Sequence, residues 1–161
     1  MLQITDTHGT YTLSELPTAE EVLALASQIL AGRVQHGALL SDPHLAGQFL
    51  QLQLAHETRE VFMVAHLDTR HRVIACEALF YGTIDGAEVH PREVVKKALE
   101  HNSAAVVLAH NHPSGCLEPS GADRAVTQRL KEALKLVDIR LLDHFVVGLS
   151  GYTSMAKLGA L

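Results

Sequence analysis

Two histidines separated by one residue, His110-Asn111-His112, are followed after seven residues by Ser120-Gly121-Ala122-Asp123. On an extended segment, side chains two positions apart point to the same side, so both imidazoles can face one point. An acidic side chain on the helix that follows can then close a metal site. Zinc is held well by two imidazoles and a carboxylate, with a fourth position left to water. Structural zinc ordinarily has four protein ligands, so three ligands and a water form the arrangement of a catalytic site. The spacing therefore points to a metal-activated water, and so to hydrolysis.

Each of these residues also has a plainer use. A His-x-His at a strand end can simply be one satisfied and one solvated imidazole. Ser120-x-x-Asp123 before an apolar helix is a capping-box pattern, in which the serine bonds the third amide. The two uses are compatible, because a carboxylate at the third helical position also suits the positive end of the helix dipole. Cys116 is a rival ligand, since thiolate binds zinc strongly; its participation would close the open position and make the site structural. The letters His-Asn-His also spell a nuclease motif, but in that motif the three residues are scattered along the chain. Hydrolysis of an amide further needs a carboxylate to move a proton. On chemistry alone the candidates are Glu60, Glu77, Glu88, Glu93 and Glu118. Asp143-His144 interrupts an apolar run and is a candidate support for the site.

The elements that must position these residues are legible from apolar patterning. The chain to about His56 reads as helical. Thr18-Ala19-Glu20-Glu21 after Pro17 is a capping box, with Val22, Leu23, Leu25, Ile29 and Leu30 as the apolar face. A second helix starts near Ser41-Asp42-Pro43 and carries Leu45, Phe49 and Leu52, with Gly32 and the Gly37 region separating the two. From Glu60 the pattern changes. Val61–Leu67 is a buried strand and Arg72–Tyr81 its antiparallel partner. Gly82 to Gly86 is a loop. Pro91 opens a helix that runs through Leu99. Ala104–Ala109 is a buried strand that delivers His110. A helix from Ser120 to about Val137 turns Ala125, Val126, Leu130, Ala133, Leu134 and Val137 inward. Ile139–Val147 and Tyr152–Met155 are the last strands. Helices, a hairpin, then alternating helix and strand predict an α/β fold: a mixed sheet flanked by helices on both faces, with a short N-terminal helical segment. The expected division is residues 1–56 for that segment and 57–161 for the sheet domain.

The chain has 161 residues, 47% of them hydrophobic, enough for one domain with a real core. A net charge of −5 argues against a broad nucleic-acid surface, leaving nucleic acid as an unfavoured partner. Two cysteines make no disulfide framework, no apolar run reaches membrane-spanning length, and the N-terminus lacks a signal core. These features point to a cytoplasmic protein without membrane attachment. The oligomeric state is not readable.

The longer pattern resembles a known family. His110-x-His112, seven residues, Ser120, two residues, Asp123 is the signature of the JAB/JAMM metalloproteases. Gly82-Thr83, Val89-His90-Pro91-Arg92-Glu93, His110-Asn111-His112-Pro113-Ser114-Gly115, Pro119-Ser120 and Leu142-Asp143-His144 resemble its RadC-like branch, over about His56 to Ala156. The resemblance implies a cytidine-deaminase-like core and zinc on His110, His112 and Asp123. It implies that Ser120 helps hold the oxyanion or the metal-bound water. It also implies that Glu60, at the head of Val61-Phe62-Met63-Val64, is the general acid/base acting on a peptide or protein substrate. Longer RadC-like proteins carry an N-terminal helix-hairpin-helix-like region that this chain does not match. Two other readings are a DNA-associated accessory protein and a zinc-stabilised interaction module without turnover.

Overall fold

The fold was analysed in a computed structural model that describes residues 4–7, 10–13, 16–35, 42–82 and 88–161. It is α/β, with a mixed five-stranded sheet between helices. Two short strands come first, β1 (Ile4–Thr7) and β2 (Thr10–Leu13), paired antiparallel as a separate hairpin. The N-terminal stretch is therefore not helical throughout. Threonines dominate both strands, and β-branched residues favour this conformation. Helix α1 (Ala19–Gln35) begins with the expected capping box: the Glu21 amide donates to Thr18 Oγ1 at 3.3 Å and the Thr18 amide donates to Glu21 Oε2 at 2.9 Å. Gly32 lies within α1 rather than separating two helices, and Val22 and Leu23 are exposed rather than packed. Ser41, Gly37, Thr83 and Gly86, named above for a helix start and two loops, lie outside the described residues.

Helix α2 (Pro43–Leu54) has Pro43 in its first turn and Asp42 as its cap, whose carboxylate accepts from the His44 amide at 2.9 Å. The main sheet follows as β3 (Val61–Leu67), β4 (Val73–Tyr81), β5 (Ala105–Asn111), β6 (Arg140–Gly148) and β7 (Gly151–Ser154). Helix α3 (Pro91–Glu100) precedes β5, and α4 (Gly121–Lys135) links β5 to β6. The spatial order is β4-β3-β5-β6-β7; only β5 and β6 run parallel. A parallel pair needs a long crossover, which α4 supplies.

Alternation along the strands divides the core in two. Val61, Ala65, Val107, Phe145 and Val147 face α2, packing with Ala46, Phe49, Leu50 and Leu54. Phe62, Val64, Val106 and Leu108 face α3 and α4, packing with Val94, Ala98, Leu130 and Leu134. Ala125, expected on the inner face of α4, is exposed; the buried stripe is Asp123, Thr127, Leu130 and Leu134.

Asp143 and His144 separate by function at the junction of β6 and β7. The Asp143 carboxylate accepts from the His144 amide at 2.7 Å, the Ala156 amide at 3.0 Å and Ser154 Oγ at 2.6 Å. It thus ties β6, β7 and the following turn together and is itself buried. Asp143→Ala leaves three donors without their acceptor. Hydrogen bonds to charged groups are worth about 1.5–3 kcal/mol each, and partial rehydration recovers part of that. The expected loss is about 3 kcal/mol of unfolding free energy, measured by urea denaturation; a loss under about 1 kcal/mol would show that the junction is held by packing alone.

Candidate functional site

The end of β5 and the start of α4 meet as the sequence spacing implies. His110 is the penultimate residue of β5, and His112 follows the strand. Asp123 is the third residue of α4 after the Ser120 cap. The capping box is complete: Ser120 Oγ accepts from the Asp123 amide at 3.1 Å, and the Ser120 amide donates to Asp123 Oδ2 at 2.6 Å. The carboxylate is held in place by its own helix start. It stands 3.1 Å from His110 Nε2 through Oδ1 and 3.3 Å from His112 Nε2 through Oδ2, while the two Nε2 atoms are 2.9 Å apart. These separations fit zinc. Ligand bonds of ~2.0–2.1 Å in a tetrahedron place donor atoms about 3.3 Å apart.

The tautomers follow from the carbonyls that terminate each hydrogen-bond chain. Thr127 Oγ1 lies 2.5 Å from the Asp123 carbonyl oxygen, a distance that requires the hydroxyl hydrogen between them. Thr127 must therefore accept from His144 Nδ1, at 2.6 Å. His144 Nε2 is then an acceptor, and His110 Nδ1 donates to it at 2.8 Å. That leaves His110 Nε2 with a lone pair. His112 Nδ1 donates to the Cys116 carbonyl at 2.7 Å, which leaves its Nε2 likewise. Two imidazole lone pairs and a carboxylate face one point with no donor among them. A divalent cation satisfies all three, which is the usual role of outer hydrogen bonds around metal-binding histidines.

Electrostatics keep Asp123 ionised. Burial alone would raise its carboxyl, but the nearby His110 and His112 imidazoles and the Ser120 contact hold it far below the usual carboxylate range. The Asp123 contact raises His112 above its ordinary value; burial opposes this, and the Cys116 carbonyl and the charge of Glu60 reinforce it. Full burial pushes His144 well below, so it stays neutral in its relay. Cys116, the rival ligand, is exposed and contributes its carbonyl; among the described residues, the cluster of potential ligands at this place is His110, His112 and Asp123.

Glu60 and Ser120 line the same cleft, of about 510 Å³, together with Phe62, His112 and Asp123. The Phe62 ring stacks on His110 at 6.2 Å and meets His144 edge-on at 5.4 Å. Asn111, a mere spacer in the motif, faces the other side of the sheet. It accepts from the Val61 amide at 2.8 Å and donates to the carbonyls of Arg59 at 2.9 Å and Glu57 at 3.3 Å. The residue between the two histidines thus pins the segment that bears Glu60. The Glu60 carbonyl also accepts from the Gly82 amide at 2.8 Å. Glu88 and Glu118 line the cleft wall, whereas Glu77 belongs elsewhere, 2.7 Å from His101. Glu93 is near Arg92 at the exposed start of α3. Sequence reasoning missed Thr127 and did not foresee what Asn111 and Phe62 contact. The signal for Thr127 was its position four residues after Asp123, on the same helical face.

A family model described as RadC-like JAB domain matches residues 40–160. The chain is 56% identical over 140 residues to a UPF0758 protein of Cellvibrio japonicus, covering 87% of this chain and 62% of that protein. It is 55% identical over 140 residues to one of Stenotrophomonas maltophilia, covering 86% and 60% respectively. A third similar protein, from Xanthomonas campestris pv. campestris, is 58% identical over 137 residues, covering 85% and 61%. The chain spans about three-fifths of the length of these curated relatives. Their names specify no activity.

Thr127→Val keeps the volume but removes the hydroxyl that sets the His144 tautomer. Zinc affinity, measured by competition with a chromophoric chelator, is expected to fall about 10- to 100-fold. Thr127→Ser restores it. Unchanged affinity in the valine variant would mean that the relay does not orient His110.

Proposed function

We propose, from the premise that the chain belongs to the RadC-like JAB domain family, that it is a zinc-dependent hydrolase of peptide or isopeptide bonds. One observation carries this reading: three lone-pair donors converge in a cleft that Glu60 and Ser120 also line. His110, His112 and Asp123 would hold the ion. Zinc, when bound there, supplies Lewis-acid polarisation of a carbonyl and acidifies water to a pKa of about 7. Glu60 takes a proton from the attacking water and delivers it to the leaving amine, as amide cleavage requires of a positioned carboxylate. Ser120 Oγ accepts from the Asp123 amide, and its hydrogen would donate to a developing oxyanion. Phe62 shields the His110–His144 pair from water. The open cleft suits an extended peptide or a protein segment as substrate.

Among the described residues, no helix is long and apolar enough to cross a membrane. The cysteines Cys76 and Cys116 are free thiols, which suits the cytoplasm. A net charge of −5 supports a peptide substrate over nucleic acid.

The test is turnover on a peptide library by the zinc-loaded chain. Glu60→Gln keeps shape and hydrogen bonding but removes the base. It should cut hydrolysis by about 10²- to 10⁴-fold at near-normal zinc content, the usual size of an acid–base term. Asn111→Leu should also lower turnover while retaining zinc, because it releases the segment that bears Glu60. Full turnover in Glu60→Gln, with loss in Glu88→Gln or Glu118→Gln, would assign the base to another glutamate of the cleft. DNA binding that persists at physiological salt, with no peptide turnover, would favour the accessory reading.

A further inference from the structure

A second set of potential metal ligands lies at the other end of the same sheet face. β3 runs antiparallel to β5, pairing Phe62 with His110 at the zinc end and His66 with Val106 at the far end. Four steps along the strand separate Phe62 from His66, roughly 13 Å at the usual rise. His66 is fully buried. Its Nε2 stands 3.4 Å from Glu77 Oε1 of β4, and the same oxygen is 2.7 Å from Nε2 of His101, which caps the end of α3. The two imidazole rings lie 4.5 Å apart, and potential donor atoms of all three residues fall within 4.8 Å of one another.

Two observations point to a cation at this place. The first is an under-satisfied nitrogen: His66 Nδ1 is engaged by Ser103 Oγ at 3.1 Å, but the buried Nε2 lies 3.4 Å from Glu77 Oε1 without forming a hydrogen bond. A buried, unsatisfied polar atom ordinarily costs about 1–3 kcal/mol. The second is geometry. The 3.4 Å separation matches a tetrahedral ligand edge of about 3.3 Å, the 2.7 Å Glu77–His101 hydrogen bond would open to admit the ion, and the side chains of Glu77 and His101 are about one-third exposed. An ion can enter from solvent on that side and keep water in the remaining position. Lys97, the nearby cation, is occupied by Glu100 at 2.8 Å.

We propose that His66, Glu77 and His101 form a second divalent-cation site, of the zinc class, that fastens the end of α3 to β3 and β4. Two imidazoles and one carboxylate favour zinc, cobalt or nickel over magnesium or calcium. The ion would engage the buried His66 nitrogen and tie β3 to the end of α3 and to β4, which the His101–Glu77 hydrogen bond already joins. It is independent of the hydrolytic reading; with three protein ligands it departs from the usual four-ligand structural zinc, and its role is to clamp the elements it bridges.

The experiment counts ions bound to the full chain. Zn²⁺ is titrated by equilibrium dialysis with metal analysis, and Co²⁺ is followed by its visible absorption. The wild type should bind two ions per chain. His112→Ala, which removes the more exposed imidazole of the first site, should bind one. Adding His101→Ala or Glu77→Gln to that variant should remove the remaining ion, with circular dichroism confirming the fold. Zinc should also raise the melting temperature of His112→Ala, and not of the double variants. No ion on folded His112→Ala, or an ion that survives both second substitutions, would overturn the proposal. If the wild type bound one ion, lost with His101 and not with His112, the hydrolase reading would fail while this site stood.

Discussion

A buried imidazole must have both nitrogens satisfied, and that requirement organises the centre of this molecule. His110 is fully buried, so its Nδ1 needs a partner inside the protein and finds it in His144. His144, also buried, passes the demand to Thr127, which ends it on the Asp123 carbonyl. The relay runs from β5 to β6 to α4 and returns to the residue whose carboxylate faces His110. The crossover that makes β5 and β6 parallel thus also sets the tautomer of His110. A shift of α4 by one residue would carry Thr127 away from His144 and Asp123 away from both histidines together. The fold and the donor set share the same constraint.

The other side of the sheet has its own version of this economy. Strand alternation sends His110 toward α4 and Asn111 toward α2. Asn111 then supplies the donors and acceptor that the start of β3 lacks, closing the backbone of Glu57, Arg59 and Val61. One short motif therefore holds the His110 and His112 imidazoles on one face and fixes the Glu60 segment from the other. Arg59 lying 4.5 Å over the Tyr81 ring adds a second hold on that segment.

What the sequence disclosed followed from how local each signal is. Period-two spacing brings the two histidines to one side, and a capping box orients Asp123; both need only a few consecutive residues. The five main strands were readable because apolar runs bounded by turn residues leave little choice. Thr127 and the His144 relay were not, because they depend on the phase of α4 against a parallel strand pair. Ala125 was assigned to the buried stripe and Thr127 was not, although Asp123, Thr127, Leu130 and Leu134 recur at helical spacing. The N-terminal hairpin was missed because a helical pattern downstream was extended backward over a threonine-rich stretch. His66 looked like one more member of an apolar run, and nothing in the linear order joins positions 66, 77 and 101.

The two polar ends of the α3–α4 face differ in how tightly their groups are held. Between them the face is apolar, with Val64, Val106 and Leu108 fully buried, so neither end can lend the other a hydrogen bond. At the His110 end every inward-facing group is anchored behind: His110 by His144, His112 by the Cys116 carbonyl, and Asp123 by the Ser120 amide. The geometry of these three groups is set by the fold itself, the kind of pre-organisation a functional site needs. At the His66 end the anchoring is partial. Ser103 holds one ring, whereas Glu77 and His101 reach in from the rim. Such an arrangement tolerates adjustment on binding and suits a clamp between elements. The anchored end, opening into the cleft with Glu60 and Ser120, suits a reaction whose geometry must not drift.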